Sequence, residues 1–431
     1  MLSKLILLIK VFLSKKIVKS SGIYLLSNLI SASVPFLVLP ILTQYLSNED
    51  YGITFMFYTV CTFLFPFVGA STLGYITLRY DVPKERLAEI IASCFFILIG
   101  STILVGFGIY GLRFYLSELT GMPTEWLWHI LVNSVAQYIV NISLYLCMMH
   151  KKEIKYAFFQ IGQTIINVSL TLIFIVLLKY NWVGRVFAMN SAVVVAALFS
   201  IFYLYKENLI HINFSRKTIK ETLTFGLSLI PHFVGSLFIN MLGRFFIAKY
   251  VNIAEAGIYA VAVQLGMAIY LLTSSVNNAF TPWLFENLKA NKEEFKIQIV
   301  KFTYKYFAVL TFVAFIYLLV MHFLFPFMVG EKFALAEKYL WIIVWGHVFQ
   351  GFYFMVATYI FYSEKSHIIA WITFSNGILS FILNYFLVRS YGVGGAAISF
   401  VITWVSFFVC TWFLSQKIYP MPWNIKTLFK K

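Results

Sequence analysis

Polar side chains recur every three to four residues inside several apolar stretches of this chain. His129, Asn133, Gln137, Asn141 and Tyr145 form one series, and Ser228, His232, Ser236, Asn240 and Arg244 a second. Gln160, Thr164, Asn167 and Thr171 make a third, Asn376, Ser380 and Asn384 a fourth, and Tyr24, Asn28 and Ser31 a fifth that ends before Pro35. Residues at this spacing share one face of a helix, so each series is a stripe of amides and hydroxyls. Such groups hold a polar ligand by hydrogen bonds. They also bond neighbouring helices to one another, and either use is open to any one stripe. Five stripes exceed what packing usually needs, so some of them should line a hydrated cavity.

Charge is the sharper signal. Arg244 continues the second stripe, beside Gly243, and its guanidinium suits a phosphate, which it can bind through two parallel hydrogen bonds. The same residue lies a few positions from the end of its apolar run and has the option of snorkelling to the surface. Arg79 closes another run, and there snorkelling is the favoured reading. His232 is a lone histidine, which is commonly structural but is able to titrate. No Asp or Glu lies in the middle of an apolar run, since Glu89 and Glu286 are at ends. An ion-coupled exporter usually needs such a carboxylate. Cys61, Cys94, Cys147 and Cys410 sit in apolar runs without metal-ligand spacing and read as packing residues. No metal or cofactor is implied. The candidate path residues are Arg244, Arg79, His232, Asn240, Ser236, Asn28, Gln137, Asn141, Gln160 and Asn384.

The elements that must position these residues follow from composition. The chain has 431 residues, 61% hydrophobic and 12% charged, with 46 Phe and a net charge of +16. A soluble domain is about 25% charged, so lipid must solvate much of this surface. Basic chains often bind nucleic acid, but here the cations fill gaps between apolar runs, which argues for membrane orientation instead. Runs long enough to cross a bilayer fall near 21–46, 52–78, 88–112, 126–149, 156–178 and 186–205. A second set falls near 223–248, 257–282, 304–328, 339–362, 368–388 and 395–415. With the N-terminus in the cytoplasm, cytoplasmic segments hold 25 Lys and Arg against 7 outside, with Arg244 within a span. The positive-inside rule then places both termini in the cytoplasm. Residues 1–20 read as a basic amphipathic segment, 21–205 as an N-terminal six-helix lobe and 206–222 as a cytoplasmic linker. Residues 223–416 read as a C-terminal six-helix lobe and 417–431 as a basic tail.

The two lobes look duplicated. Tyr45-Leu46-Ser47-Asn48-Glu49-Asp50-Tyr51-Gly52-Ile53 is echoed by Tyr250-Val251-Asn252-Ile253-Ala254-Glu255-Ala256-Gly257-Ile258. Lys179-Tyr180-Asn181-Trp182-Val183-Gly184 is echoed by Arg389-Ser390-Tyr391-Gly392-Val393-Gly394 at nearly the same interval. An even number of spans per lobe makes the repeat parallel, with a pseudo-twofold axis along the membrane normal and a path between the lobes. The expected fold class is an all-α integral membrane protein of about twelve transmembrane helices. Pro35, Pro40, Pro66, Pro231 and Pro326 lie within spans and are able to kink them.

The chain resembles the polysaccharide-type (O-antigen, Wzx-type) flippases of the multidrug/oligosaccharidyl-lipid/polysaccharide exporter superfamily. The residues that carry the likeness are Leu46-Ser47…Asp50-Tyr51-Gly52, Gly226-Leu227-Ser228-Leu229-Ile230-Pro231-His232, Arg244, Glu255-Ala256-Gly257-Ile258-Tyr259, and Asn384-Tyr385…Tyr391-Gly392-Val393-Gly394-Gly395-Ala396-Ala397. Two positions depart from the family pattern. Ser228 stands within a stretch that is often Gly-Leu-Pro-Leu, and Gly243 where an acidic residue often precedes the Arg. The resemblance implies a flippase, not an enzyme, in the bacterial inner membrane. It would carry undecaprenyl-pyrophosphate-linked oligosaccharide (O-antigen or a related surface polysaccharide) to the periplasmic leaflet by alternating access. Its implied partners are that lipid-linked oligosaccharide, the bilayer and other polysaccharide-assembly membrane proteins, with no nucleic acid. A drug or metabolite exporter of the superfamily is the nearest rival, but it would call for an intramembrane carboxylate. A membrane-embedded polymerase or acyltransferase would need a larger outer loop than 113–125, whose ionisable residues are Arg113, Glu118 and Glu125.

Overall fold

The computed structural model describes residues 16–210, 215–289, 293–363 and 365–424. Most of the expected N-terminal segment 1–20, part of the 206–222 linker and the end of the 417–431 tail lie outside the described residues. Those described are helical nearly throughout. In chain order the helices are α1 (Lys16–Tyr45), α2 (Asn48–Leu64), α3 (Leu73–Leu78), α4 (Lys84–Gly111), α5 (Arg113–Thr120), α6 (Trp128–Met149) and α7 (Glu153–Thr171). They continue with α8 (Trp182–Lys206), α9 (Arg216–Tyr250), α10 (Ile253–Lys289), α11 (Glu293–Met328), α12 (Ala336–Tyr362) and α13 (Ser366–Ile418).

Among the described residues, ten helices are long and apolar enough to cross a membrane, and eleven if α2 and the stretch Val68–Leu78 form one bent span. At about 1.5 Å per residue, α13 (53 residues) is more than twice as long as a hydrocarbon core of about 30 Å requires. It is broken at Gly392, whose φ of 56° and ψ of −134° interrupt the helix. Counted as two spans, it brings the number to twelve. The run 52–78 reads as a continuous helix in sequence but turns by 55°. Pro66 cannot continue the hydrogen-bond ladder, and Gly69 (φ 73°), Ala70 (φ 48°) and Ser71 (φ 55°) all take left-handed backbone. The break is fixed from beneath. A Cβ on Gly69 would fall 2.0 Å from the fully buried Tyr138 ring, the Gly69 amide donates to Ser101 Oγ at 2.8 Å, and Thr72 Oγ1 is bonded to the Tyr138 hydroxyl.

By internal contacts the chain forms two units, Met1–Leu46 with Ile53–Phe233, and Ser47–Gly52 with Val234–Lys431. The division falls inside α9 rather than at the 206–222 linker, for a local reason. The first half of α9 packs on the break just described: a Cβ on Gly226 would lie 2.1 Å from the Ala70 carbonyl oxygen, and the Phe225 ring lies 5.5 Å from that of Tyr75, tilted by 56°. In lipid, packing and hydrogen bonds hold helices together, because hydrocarbon is as apolar as the side chains. The first unit therefore closes on Ile76, Ile91, Cys94, Tyr138 and Ile142. The second closes on Phe280, Leu284, Ile299, Met355 and Tyr359. Cys61, Cys94 and Cys147 are buried and free, as packing residues should be; Cys410 is also free but exposed on α13, so the packing expectation does not hold there.

The duplicated turns meet reciprocally in the second unit. A Cβ on Gly52 would sit 2.0 Å from the Ile253 carbonyl oxygen, and a Cβ on Gly257 would sit 2.1 Å from that of Asn48. Residue 52 pairs with 253 as 257 pairs with 48, which is the pattern of a twofold contact. The caps repeat as well. Asp50 accepts from the Ser47 amide and hydroxyl while Ser47 Oγ accepts from the Asp50 amide, and at the matching position Asn252 Oδ1 accepts from the Glu255 amide at 2.7 Å.

Candidate functional site

In the first unit the stripes of α1, α6 and α7 converge on one polar face. Gln163 donates to Gln137 Oε1 at 2.9 Å, and Gln137 donates to Asn141 Oδ1 at 3.1 Å. Thr164 donates to Ser31 Oγ at 3.1 Å, and the Tyr156 hydroxyl to Asn28 Oδ1 at 2.8 Å. Gln160 joins through its backbone carbonyl, which accepts from Ser31 and Thr164. Gln137, Asn141, Gln160, Gln163, Thr164 and Asn167 are half-buried and Asn28 is exposed. Helix α7 shows why. Of its residues only Phe159 and Thr171 are buried. At 100° per residue, exposed Ile154, Phe158 and Ile165 lie on the side opposite Gln160, Thr164 and Asn167. One face of a spanning helix is fit for lipid and the other is not. Amides at mid-span that keep open surface need water or a hydrophilic ligand, because lipid offers them no partner.

The remaining stripes divide differently. His129 and Asn133 are joined across α6 and α8 by Asn190, which accepts from Asn133 at 2.7 Å and bonds His129 Nδ1 at 2.8 Å; His129 and Asn190 are buried. In the second unit Asn376, Ser380 and Asn384 are all buried. Their amides donate back into their own helix, Asn376 to Ile372 and Asn384 to Ser380, while Ser380 donates to the Phe238 carbonyl of α9 at 3.3 Å. Small residues bring α9 and α13 this close: a Cβ on Gly235 would be 3.3 Å from Thr373, and one on Gly377 3.6 Å from Phe238.

Arg244 lies beside this contact. It is 8% exposed, and among the described residues no other charged side chain is buried to that degree. A Cβ on the neighbouring Gly243 would fit tightly, 3.3 Å from Ala396 Cβ and Asn384 Oδ1 and 3.4 Å from the Tyr259 hydroxyl. Asn384 Oδ1 carries no hydrogen bond. Tyr259 and His347 both lie within electrostatic reach of the guanidinium. Asn240 and Ser236 share the Arg244 face of α9, half-buried, with Asn240 donating to the Ser236 carbonyl at 2.9 Å. His232 is exposed and twelve residues from Arg244, about 18 Å along the helix. Arg79 is exposed at the end of α3 with its guanidinium 5.8 Å from the Tyr75 ring, a few residues before Lys84 and Arg86 in the first turn of α4. Arg244, Asn240, Ser236 and Asn384 thus gather in one unit and Asn28, Gln137, Asn141 and Gln160 in the other. His232 and Arg79 stand apart from both groups.

Two polar groups escape the stripe pattern. His347 and Gln350 on α12 are buried and bonded to each other at 2.9 Å, with His347 Nε2 unpaired. Their spacing of three in an otherwise aromatic span was the available signal. Arg185 looks like a turn residue in sequence but donates to Asn167 Oδ1 at 2.7 Å and to Thr171 Oγ1. Among the described residues no group of three or more His, Cys, Asp or Glu is placed to hold a metal.

Residues 17–288 match the sequence profile of a family described as polysaccharide biosynthesis protein. An uncharacterised membrane protein of Haemophilus influenzae is 25% identical over 355 residues, 81% of this chain and 85% of its own length. Among solved structures, the lipid II flippase MurJ in an inward closed conformation superposes with a TM-score of 0.71 at 14% identity, covering 93% of this chain and 87% of MurJ. An inward-facing multidrug resistance MATE transporter of the MOP superfamily also gives 0.71, at 15% identity, covering 90% of this chain and 94% of that one. At these identities the superpositions show a shared fold over most of each chain.

Proposed function

Because the chain belongs to the polysaccharide biosynthesis protein family and has the fold of flippases and exporters rather than of an enzyme, we propose that it flips an oligosaccharide repeat unit carried on undecaprenyl pyrophosphate. The cargo is an O-antigen or related surface-polysaccharide unit, moved from the cytoplasmic to the periplasmic leaflet of the inner membrane. Both termini face the cytoplasm in this reading, as the 25-to-7 distribution of Lys and Arg requires. The observation that carries the proposal is the sign and depth of the buried charge. Among the described residues the most buried charged group is Arg244, and no Asp or Glu is comparably buried.

Arg244 keeps its positive charge at depth, and a diphosphate is the anion its planar fork fits best. The half-buried amides and hydroxyls of α1, α6 and α7 supply the other requirement, exchangeable hydrogen bonds for sugar hydroxyls. The apolar faces of the same helices leave the polyprenyl tail in lipid. No bond is made or broken; transport needs only two arrangements of the protein whose relative stability changes with cargo. A cationic-drug exporter is less well served, since its cargo would meet Arg244 as a like charge.

Arg244→Ala should abolish surface polysaccharide in cells that depend on this protein, with the protein inserted at the wild-type level by immunoblot. Arg244→Lys keeps the charge but loses the fork and should restore part of it. Wild-type polysaccharide in the Ala variant would overturn the assignment.

A further inference from the structure

We infer that Arg185 is a second anion-binding station, which holds the diphosphate of the cargo at the far end of the polar face of α1, α6 and α7. The inference rests on the lipid-diphosphate cargo proposed above and adds a site to it. Arg185 is the fourth residue of α8, close to the end of its span. A cation so placed would ordinarily extend outward to water and headgroups. This one turns inward: its guanidinium is bonded to Asn167 and Thr171 of α7. In the candidate span Glu153–Leu177, Asn167 lies ten residues and Thr171 six residues from the end nearer Arg185. At about 1.5 Å per residue the charge sits roughly 9–15 Å inside that end.

Local structure explains how it is held. Asn181 caps α8 by accepting from the Val183 amide. Gly184 then packs so closely that a Cβ would fall 2.7 Å from Tyr180 Cβ and 3.0 Å from Phe174 Cβ. Residues Leu172–Leu177, directly after Thr171, form a π-helical turn. Such turns carry an energetic cost and are concentrated at functional sites. Together these features draw the start of α8 against α7 and aim Arg185 along the stripe Gln160, Thr164, Asn167, Thr171. Asn167 and Thr171 accept from the guanidinium and orient it along the stripe, and the side chain stays half-buried rather than sealed in. The second unit has a parallel arrangement, with Arg244 next to the Asn376, Ser380 and Asn384 stripe of α13. Each unit thus contributes one intramembrane arginine set against an amide and hydroxyl stripe.

The test uses full-length protein purified in detergent, with farnesyl pyrophosphate as the diphosphate lipid and farnesol as the lipid lacking it. Binding is read by ligand-induced thermal shift and titration calorimetry. Wild type should bind farnesyl pyrophosphate and not farnesol. Arg185→Gln should weaken binding of the diphosphate at least tenfold, and Arg185→Lys should recover part of the loss. Thr171→Val, which removes one orienting bond but leaves the charge, should weaken binding less than Arg185→Gln does. Wild-type affinity in Arg185→Gln, with Arg244→Gln impaired, would overturn the second station and leave the proposed cargo standing. Equal losses in Arg185→Gln and Thr171→Val, matched by equal drops in unliganded melting temperature, would overturn it too, because the arginine would then be a helix tie. Absence of binding by wild type itself would instead overturn the diphosphate reading.

Discussion

Arg185 and Arg244 look alike in sequence, each an arginine next to a glycine near the end of an apolar run, yet only one was legible as a site residue. Arg244 completes a stripe of side chains four apart, and periodicity reveals it. Arg185 falls outside the predicted span 186–205 and counts there as a turn cation. What turns it inward is the close approach at Gly184 and the π-helical turn of Leu172–Leu177, neither of which leaves a periodic trace. Burial is just as hard to read. Asn384 and Asn141 have the same side chain at the same spacing, but Asn384 is sealed under α9 and Asn141 keeps open surface. Outside the membrane, charge pairing follows simpler rules. Glu207 receives Lys152 at 2.9 Å and Lys155 at 2.8 Å. Burial pushes its carboxyl up, but hydrogen bonds and charge from Lys155 and Lys152 outweigh that and bring it from 4.5 down to about 2. A group with a lowered folded-state pKa stabilises the fold above its unfolded value and loses that contribution as pH falls through the folded one. The gap in melting temperature between wild type and Glu207→Gln should therefore hold from neutral pH to about 4.5 and close toward 2. A gap that closes above pH 5, or persists unchanged at 2, would contradict the pairing.

Helices and their junctions were read well where pattern sets them and poorly where single residues do. Eleven of the twelve expected runs correspond to helices or halves of α13, with ends shifted by up to eleven residues, the largest shift at the start of α11. The run 52–78 does not, because left-handed backbone at Gly69, Ala70 and Ser71 outweighs an apolar pattern that shows no gap. The duplicated turns were visible as repeated letters, whereas their reciprocal contact was not. That contact and the packing of α9 on the break make a sharp prediction. Gly257→Ala and Gly226→Ala each drive a Cβ to 2.1 Å from a carbonyl oxygen, and the backbone must move. Each should destabilise the protein by about 1–3 kcal/mol, the usual range for overpacking. Gly100→Ala, where nothing lies within 4 Å of the new methyl, should be neutral or slightly stabilising, since Ala favours helix over Gly. Melting curves of the three variants in one detergent decide the matter. Indistinguishable curves would mean that these glycines are not close-packed.

For the molecule as a whole, composition and charge carried most of the inference. Hydrophobic content fixed the solvent, the repeat pointed to two lobes, and the proposed orientation rests on the Lys and Arg distribution. The proposed cargo chemistry rests on finer evidence: cationic rather than acidic buried charge, and amides at mid-span that are neither sealed nor suited to lipid. Gln137 and Gln163, bonded at 2.9 Å, lie at the centre of that face. Replacing both with Leu should preserve insertion and melting temperature within a few degrees while reducing transport at least tenfold, because the face would no longer bond sugar hydroxyls. Polysaccharide at wild-type levels in the double variant would show that this face is only packing. The central claim is translocation of a diphosphate-linked oligosaccharide without covalent change. Its most direct test is purified protein in liposomes loaded with fluorescent polyprenyl-pyrophosphate oligosaccharide, followed by quenching with a reagent that does not cross the bilayer. With wild type the quenched fraction should rise from the outer-leaflet share to nearly the whole pool, with the lipid's mass unchanged, and Arg244→Ala liposomes should behave as empty ones. A wild-type trace that matches protein-free liposomes would contradict the claim.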